Sequence, residues 1–163
     1  MSTSISGFCF NTLLANLLKE ALADIRYRNG LLDGYTSRLH YFSDWIRNNE
    51  QMGFVKECTS ESACAQPKEL WPDFMTTHVD SYLPMKKNSE LVKEMADQEK
   101  NWQGVTVLFI PKEKLNLSTD KLNIKNGDIL AIITNIKGLD VVHIGFAFWK
   151  LGKLHLLLAS SIT

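Results

Sequence analysis

The stretch Val141 to Ser161, VVHIGFAFWKLGKLHLLLASS, decides the fold class. Apolar and β-branched residues lie on both sides of a Lys-Leu-Gly-Lys turn, the pattern of two antiparallel strands joined by a tight connection. With Leu151 and Gly152 as a two-residue loop, Lys150 pairs with Lys153, Trp149 with Leu154, Phe148 with His155, Gly145 with Leu158 and His143 with Ser160. Side chains alternate along a strand, so His143, Gly145, Ala147, Trp149, Leu158 and Ser160 share one face. Ile144, Phe146, Phe148, Leu157 and His155 share the other. The two histidines therefore point opposite ways. Gly145 and Ala147 leave the His143 face the roomier one, open to a close-approaching backbone or a ligand. Two readings of His143 stay open on these grounds, a cleft residue or a histidine satisfied by a backbone carbonyl.

Working outward, the chain has 163 residues, enough for one domain with a substantial core. A 45% hydrophobic and 22% charged composition is that of an ordinary globular protein. Zero formal net charge argues against nucleic acid as a partner. No apolar run approaches the ~18 residues of a membrane span, and MSTSISGFCF carries no secretory signal pattern. Of three cysteines, Cys9, Cys58 and Cys64, the last two either close a small loop or remain free thiols. Their spacing gives no zinc pattern, and neither a metal nor a cofactor is expected.

Leu14, Leu18, Leu22 and Ile25 recur at near-helical spacing from Asn11 to Arg28, and Asn29-Gly30 stops that helix. Thr36 or Ser37 is placed to cap a second helix running through Asn49, with Leu39, Phe42 and Ile46 on its apolar side. Cys58 to Asp80 reads as a long irregular connection, and Ser89 to Trp102 as a third helix with Leu91 and Met95 inward. Strands follow at Val105–Ile110, Ile129–Thr134 and in the hairpin, linked through Pro111 as a helix-start residue and an Asn126–Asp128 turn. Helices followed by consecutive strands predict an α+β fold, N-terminal helices packed on an antiparallel sheet.

The densest polar and aromatic cluster is YTSRLHYFSDW, Tyr35 to Trp45. On a helix His40 and Asp44 would lie one turn apart, as would Tyr41 and Trp45. A purely structural role, with Asp44 pairing Arg38 or His40 and the aromatics filling core, accounts for it equally well.

IRYRNGLLDGYTSRLHYFSDWIRNNEQMGFV, followed in order by FMTTHVDSY, IPKEKL, NGDILAIITNIKGLDVVHIGFAFW and KLHLLLASS, resembles the N-acetylmuramoyl-L-alanine amidase-like family. That family belongs to the NlpC superfamily of papain-fold cell-wall hydrolases. The resemblance implies a papain-like (NlpC-type) fold over a single amidase-like domain, residues 1–163, incomplete at both ends. It also implies a cysteine amidase that cuts the bond between the muramoyl lactyl group and L-alanine in peptidoglycan fragments, in the bacterial cell envelope or periplasm. In such a site a thiolate at a helix start attacks the amide carbonyl and a histidine serves as base. His143 matches the family's base. Arg38, His40, Tyr41, Asp44 and Trp45, with Thr77 and His78, match cleft or cleft-supporting positions, where an arginine suits a carboxylate and aromatics a sugar face.

The chain departs from that pattern twice. The family's orienting histidine is replaced by Leu158, which cannot accept the imidazole hydrogen bond, and Ser160 opposite His143 is the remaining surrogate. The nucleophile's motif is absent, leaving Cys9 in GFCFNTLL either as a shifted nucleophile or as an unrelated cysteine with the catalytic segment missing. The alternative function is a non-catalytic module that keeps the cleft and binds muropeptides or a protein partner.

Overall fold

The computed structural model describes residues 12–158, and the hairpin is its organising element. Strand β4 (Val141–Lys150) turns through Leu151 (φ 51°) and Gly152 (φ 72°) into β5 (Lys153–Leu157). Two consecutive left-handed residues make a turn whose twist matches that of the strands, so the register is the expected one: Lys150 with Lys153, Trp149 with Leu154, Phe148 with His155. Among the described residues the ladder runs to Phe146 with Leu157, and the expected Gly145–Leu158 pair is not formed. Ser160, like Cys9, lies outside the described residues.

Strand β3 (Ile129–Ile133) pairs with the other edge of β4, Leu130 facing Gly145 and Ile132 facing His143 before the register shifts. The order is β3-β4-β5, antiparallel throughout. The inner face carries Ala147 and Trp149 against Leu122 of α6 (Thr119–Leu122) and against Ile124. The Trp149 indole Nε1–H donates to the Ile124 carbonyl at 2.8 Å, so the ring is buried without stranding its polar edge.

The room expected beside His143 is taken up by packing. A Cβ on Gly145 would stand 2.6 Å from the Leu157 carbonyl oxygen and 2.8 Å from Leu156 Cδ1. Gly145 therefore admits the close approach of the end of β5.

The helices depart from the sequence reading at one place that matters. Helix α1 (Thr12–Arg26) ends where expected, at a turn through Asn29 (φ 54°) and Gly30 (φ 70°). Helix α2 (Phe42–Gln51) starts at Phe42, not after Thr36 or Ser37. The intervening backbone bonds elsewhere: Arg28 N–H donates to the Ser37 carbonyl at 2.7 Å and Leu39 N–H to the Arg26 carbonyl at 2.9 Å. Residues 37–39 thus run beside the end of α1, and a helix over them would break both bonds.

Residues 58–80 are not irregular either. They contain β1 (Gln66–Leu70) and the short α3 (Phe74–Thr77). β1 pairs antiparallel with β2 (Val105–Phe109), a separate two-stranded sheet in which Pro67 is tolerated because one side of its strand has no neighbour to bond. The expected single run of consecutive strands is thus two sheets. Lys68 ties them by donating to the Thr134 carbonyl at 3.0 Å. Helices α4 (Leu83–Lys87) and α5 (Ser89–Lys100) follow, α5 capped by Asn88, whose side-chain oxygen accepts the Glu90 N–H at 3.0 Å. Met75, Met85 and Met95 from α3, α4 and α5 close on Tyr41 to form the core of the helical half. Cys58 and Cys64 are free thiols. No described helix is long and apolar enough to cross a membrane.

Gly145→Ala is expected to destabilise the fold by about 1–3 kcal/mol, because the added methyl meets a backbone carbonyl that cannot step aside. Gly152→Ala meets nothing within 4 Å and costs only its left-handed backbone strain, about 1 kcal/mol. Urea denaturation of the two variants should rank Gly145→Ala as the worse.

Candidate functional site

The segments singled out by sequence meet at Gly138–Asp140, the turn that leads into β4. The Gly138 carbonyl accepts the N–H groups of both Asp73 and Phe74 at 3.1 Å, holding the start of α3. The Asp140 carboxylate, 6% exposed, accepts Ser43 N–H at 2.8 Å and Ser43 Oγ–H at 2.9 Å, holding the start of α2. A carboxylate on free N–H groups at a helix start is a favourable electrostatic arrangement. Its other oxygen accepts Val141 N–H at 2.8 Å, which fixes the first residue of β4. Gly138 has φ +78°, and a Cβ there would fall 1.9 Å from Asp73 Oδ1. One turn thereby fixes the start of α2, the start of α3 and the strand that bears His143.

A second buried carboxylate completes the junction. Glu99 on α5, 2% exposed, accepts the Tyr41 hydroxyl at 2.6 Å, the Met75 N–H at 3.1 Å, the Thr76 N–H at 3.3 Å and the Thr76 hydroxyl. Tyr41, expected to line the cleft or support it, is 5% exposed and part of this network. Burial and then the bond to Glu99 push its phenol far above the ordinary tyrosine value, so it stays neutral.

The remaining residues of the cluster divide by surroundings. Asp44 is paired with Arg28, Oδ2 to Nη2 at 2.5 Å and Oδ1 to Nη1 at 3.2 Å, a two-pronged contact on a residue only 8% exposed. Its ion-pair partner is thus Arg28, in place of the Arg38 or His40 that a purely structural role had suggested. Arg38 is exposed and makes no ion pair among the described residues. His40 is half-buried, its Nε2 3.2 Å from the Tyr35 carbonyl and its ring 4.7 Å from the Tyr35 ring. Burial holds its pKa below the ordinary histidine value, with Arg38 acting the same way and the Tyr35 carbonyl and Asp44 opposing. Trp45 stacks on Phe42 at 5.6 Å. Thr77 and His78 are exposed, and the His78 ring lies on Phe74 at 4.1 Å with Nδ1 2.9 Å from the Phe74 carbonyl.

His143 is itself exposed, at the end of β4 nearest this junction. Leu158, just past the end of β5, is 37% exposed. Two shallow recesses lie elsewhere and His143 lines neither. One of about 310 Å³ is walled by Arg28, Asp33, Thr36, Ser37 and Gln98 among others. The other, about 260 Å³, contains Cys58 between Lys56, Lys125 and Asp128. Burial, then Asp128 and the nearby glutamates, push the Cys58 thiol up, the opposite of what a nucleophile needs.

Three functional candidates escaped the sequence reading. Arg28 and Asp140 both fall inside quoted blocks, in RYR and GLDVVH, and a search for charge partners of Asp44 and for helix caps would have raised them. Glu99 carries no signal in MADQEK, since nothing there separates a buried glutamate from a solvated one.

Residues 14–163 match the model of the AmiA-like family, described as N-acetylmuramoyl-L-alanine amidase-like. Among solved structures, an N-acetylmuramoyl-L-alanine amidase from Bacteroides uniformis superimposes with TM-score 0.83 and 40% identity, over 93% of this chain and 64% of that one. A second structure so described, from the same organism, gives 0.82 and 41% over 90% and 61%. A Bacteroides fragilis protein described as a candidate xylanase gives 0.80 and 46% over 88% and 61%. The chain therefore spans about 61–64% of the length of these structures. No curated protein matches it.

Two measurements check the site's construction. Glu99→Gln replaces one acceptor oxygen by a donor facing donors and is expected to cost about 1–3 kcal/mol in urea denaturation. For His40, the lowered folded-state pKa means that the unfolded chain takes up its proton first as pH falls. The histidine's contribution to stability is complete above the ordinary value, about 6.5, and is lost as pH drops below it. The urea midpoint of the parent should fall more steeply from pH 7.5 to 5.5 than that of His40→Phe.

Proposed function

As the chain belongs to the AmiA-like family of N-acetylmuramoyl-L-alanine amidase-like proteins, we propose that it is a cysteine-type amidase of peptidoglycan fragments. The reading places it in the NlpC superfamily with a papain-like fold, as one amidase-like domain acting in the bacterial envelope or periplasm. The observation that carries it is the Gly138–Asp140 turn, which joins the His143 strand to the starts of α2, bearing Asp44 and Trp45, and α3, bearing Thr77.

The reaction would run through Cys9 and His143. His143 takes the thiol proton, the thiolate adds to the lactyl carbonyl, and the tetrahedral oxyanion collapses with loss of the L-alanine amine, protonated by the same imidazole. Water then hydrolyses the muramoyl thioester, His143 again taking its proton, and the thiol is restored. Ser160 is the proposed surrogate orienter of the imidazole in place of a histidine at position 158. Arg38 is the cation available to a peptide carboxylate. His40, Trp45, Thr77 and His78 would line the substrate, with Tyr41 and Asp44 holding those positions through Glu99 and Arg28.

A glycosidase fits less well. Xylan cleavage needs a pair of free carboxyl groups flanking the bond. The buried carboxylates Asp44, Glu99 and Asp140 are each already occupied by donors within the fold. A second amidase-related reading, a muropeptide-binding module without turnover, is favoured by Leu158, which offers His143 no acceptor.

Incubation of the chain with a muramoyl-L-alanine peptide, followed by mass spectrometry for the freed L-alanine amine, tests the proposal, with calorimetry measuring binding in parallel. The expected result is cleavage abolished by Cys9→Ala and by His143→Ala with binding retained, and increased by Leu158→His. Binding with no cleavage, even in Leu158→His, selects the module. Absence of both, or hydrolysis of xylan, overturns both readings.

A further inference from the structure

Among the described residues, nothing covers the largely apolar outer face of the three-stranded sheet. Ile129, Ile144, Phe146, Phe148 and Leu157 share it by register and are 38%, 49%, 54%, 48% and 65% exposed. Together they offer on the order of 500 Å² of apolar surface, at the upper end of what a monomer carries in one patch. An antiparallel sheet commonly wets one face, but polar side chains on this face are confined to the turn end, with Lys150, Lys153 and His155, while Ile129, Ile144, Phe146, Phe148 and Leu157 form a continuous apolar area beyond them. The pattern is that of a sheet covered on both sides.

A second surface repeats the observation. Helix α1 leaves Leu17 and Leu18 both 54% and Leu22 41% exposed, so its apolar stripe also lacks a partner. The solved relatives are 40–46% identical over nearly all of this chain, yet 36–39% of their own length lies outside the matched span. Their shared part superimposes with TM-scores of 0.80–0.83, so these strands keep their arrangement in the longer molecules.

We propose that the outer face of β3-β4-β5 is an interdigitating interface for family polypeptide, and that its occupant is the portion of the amidase-like domain that the relatives carry beyond the matched span. The face would then be an interior layer of the longer molecules, and among the described residues it is left open to that polypeptide supplied as a separate chain. The proposal rests on family membership and the sheet, not on the cysteine mechanism.

The test uses the 163-residue chain and labelled peptides tiling the parts of the Bacteroides uniformis amidase that lie outside the match. Anisotropy titrations should show saturable binding of at least one peptide, with loss of the fluorescence of a bound apolar dye. In the double variant Phe146→Glu, Phe148→Lys that affinity should fall about tenfold or more, because both anchors become charged. Leu108→Glu, at a 39% exposed position on the other sheet, should leave it within about twofold. Circular dichroism confirms that the variants are folded, and Phe148→Lys alone replaces the double variant if that one is not. Failure of every peptide to bind overturns the proposal, as does binding unaffected by the face variants. So does a dimer of the parent, seen by sedimentation, that the face variants dissociate, since the occupant would then be a second copy. Loss of muropeptide cleavage in the preceding assay with peptide binding intact would sink the cysteine reading and leave this one standing.

Discussion

The fold turns on one short junction, Gly138 to Asp140, where three chain segments are tied by hydrogen bonds to a single turn. Gly138 supplies a carbonyl to the first N–H groups of α3, and Asp140 supplies a carboxylate to the first of α2. Both helix starts lack side-chain caps of their own, with Tyr41 and Asp73 at the cap positions making no side-chain cap bond. Orphan N–H groups near the interior need acceptors, and a turn from a distant part of the chain provides them. The geometry of the candidate site therefore depends on a long-range contact made by two residues that touch no substrate in any reading given above.

The same junction explains how carboxylates are distributed in the interior. Glu99 and Asp140 are buried without a cation among their bonding partners, and each is held by a convergence of backbone and hydroxyl donors. Asp44 takes the other solution, a two-pronged bond to Arg28. Donor-saturated carboxylates organise structure and are poorly placed for acid and base work on a sugar.

Half of the molecule is a helical layer closed around three methionines, and the other half is a sheet closed on one side. The asymmetry has a plain physical content. Apolar β-branched and aromatic side chains repeated on both faces of β4 are suited to burial on both, and the described chain covers the face of Ala147 and Trp149 alone. Gly145 shows how tightly that covered face is made, since even a methyl group there would collide with the end of β5.

Local chemistry was enough for the hairpin. A Leu-Gly loop between alternating strands admits one tight turn, and the turn sets every pair in register, which put His143 and His155 on opposite faces. Asn29-Gly30 stopped α1 for the same local reason, the need for left-handed backbone. The motif blocks were enough to mark the family. What only the tertiary structure decided were the pairings between distant segments. Residues 36–41 have caps and periodicity suited to a helix, but a turn at Tyr35–Arg38 and the bonds that tie Ser37 and Leu39 to Arg28 and Arg26 keep them out of one. Tyr41 could by pattern line a cleft or support one, and it is core because its hydroxyl donates to the buried Glu99 of α5. The small residues beside His143 could have admitted a ligand or a strand, and at Gly145 it is the end of β5 that approaches closely. In each case a side chain's neighbours in sequence permit two environments of similar energy, and a partner far along the chain selects one.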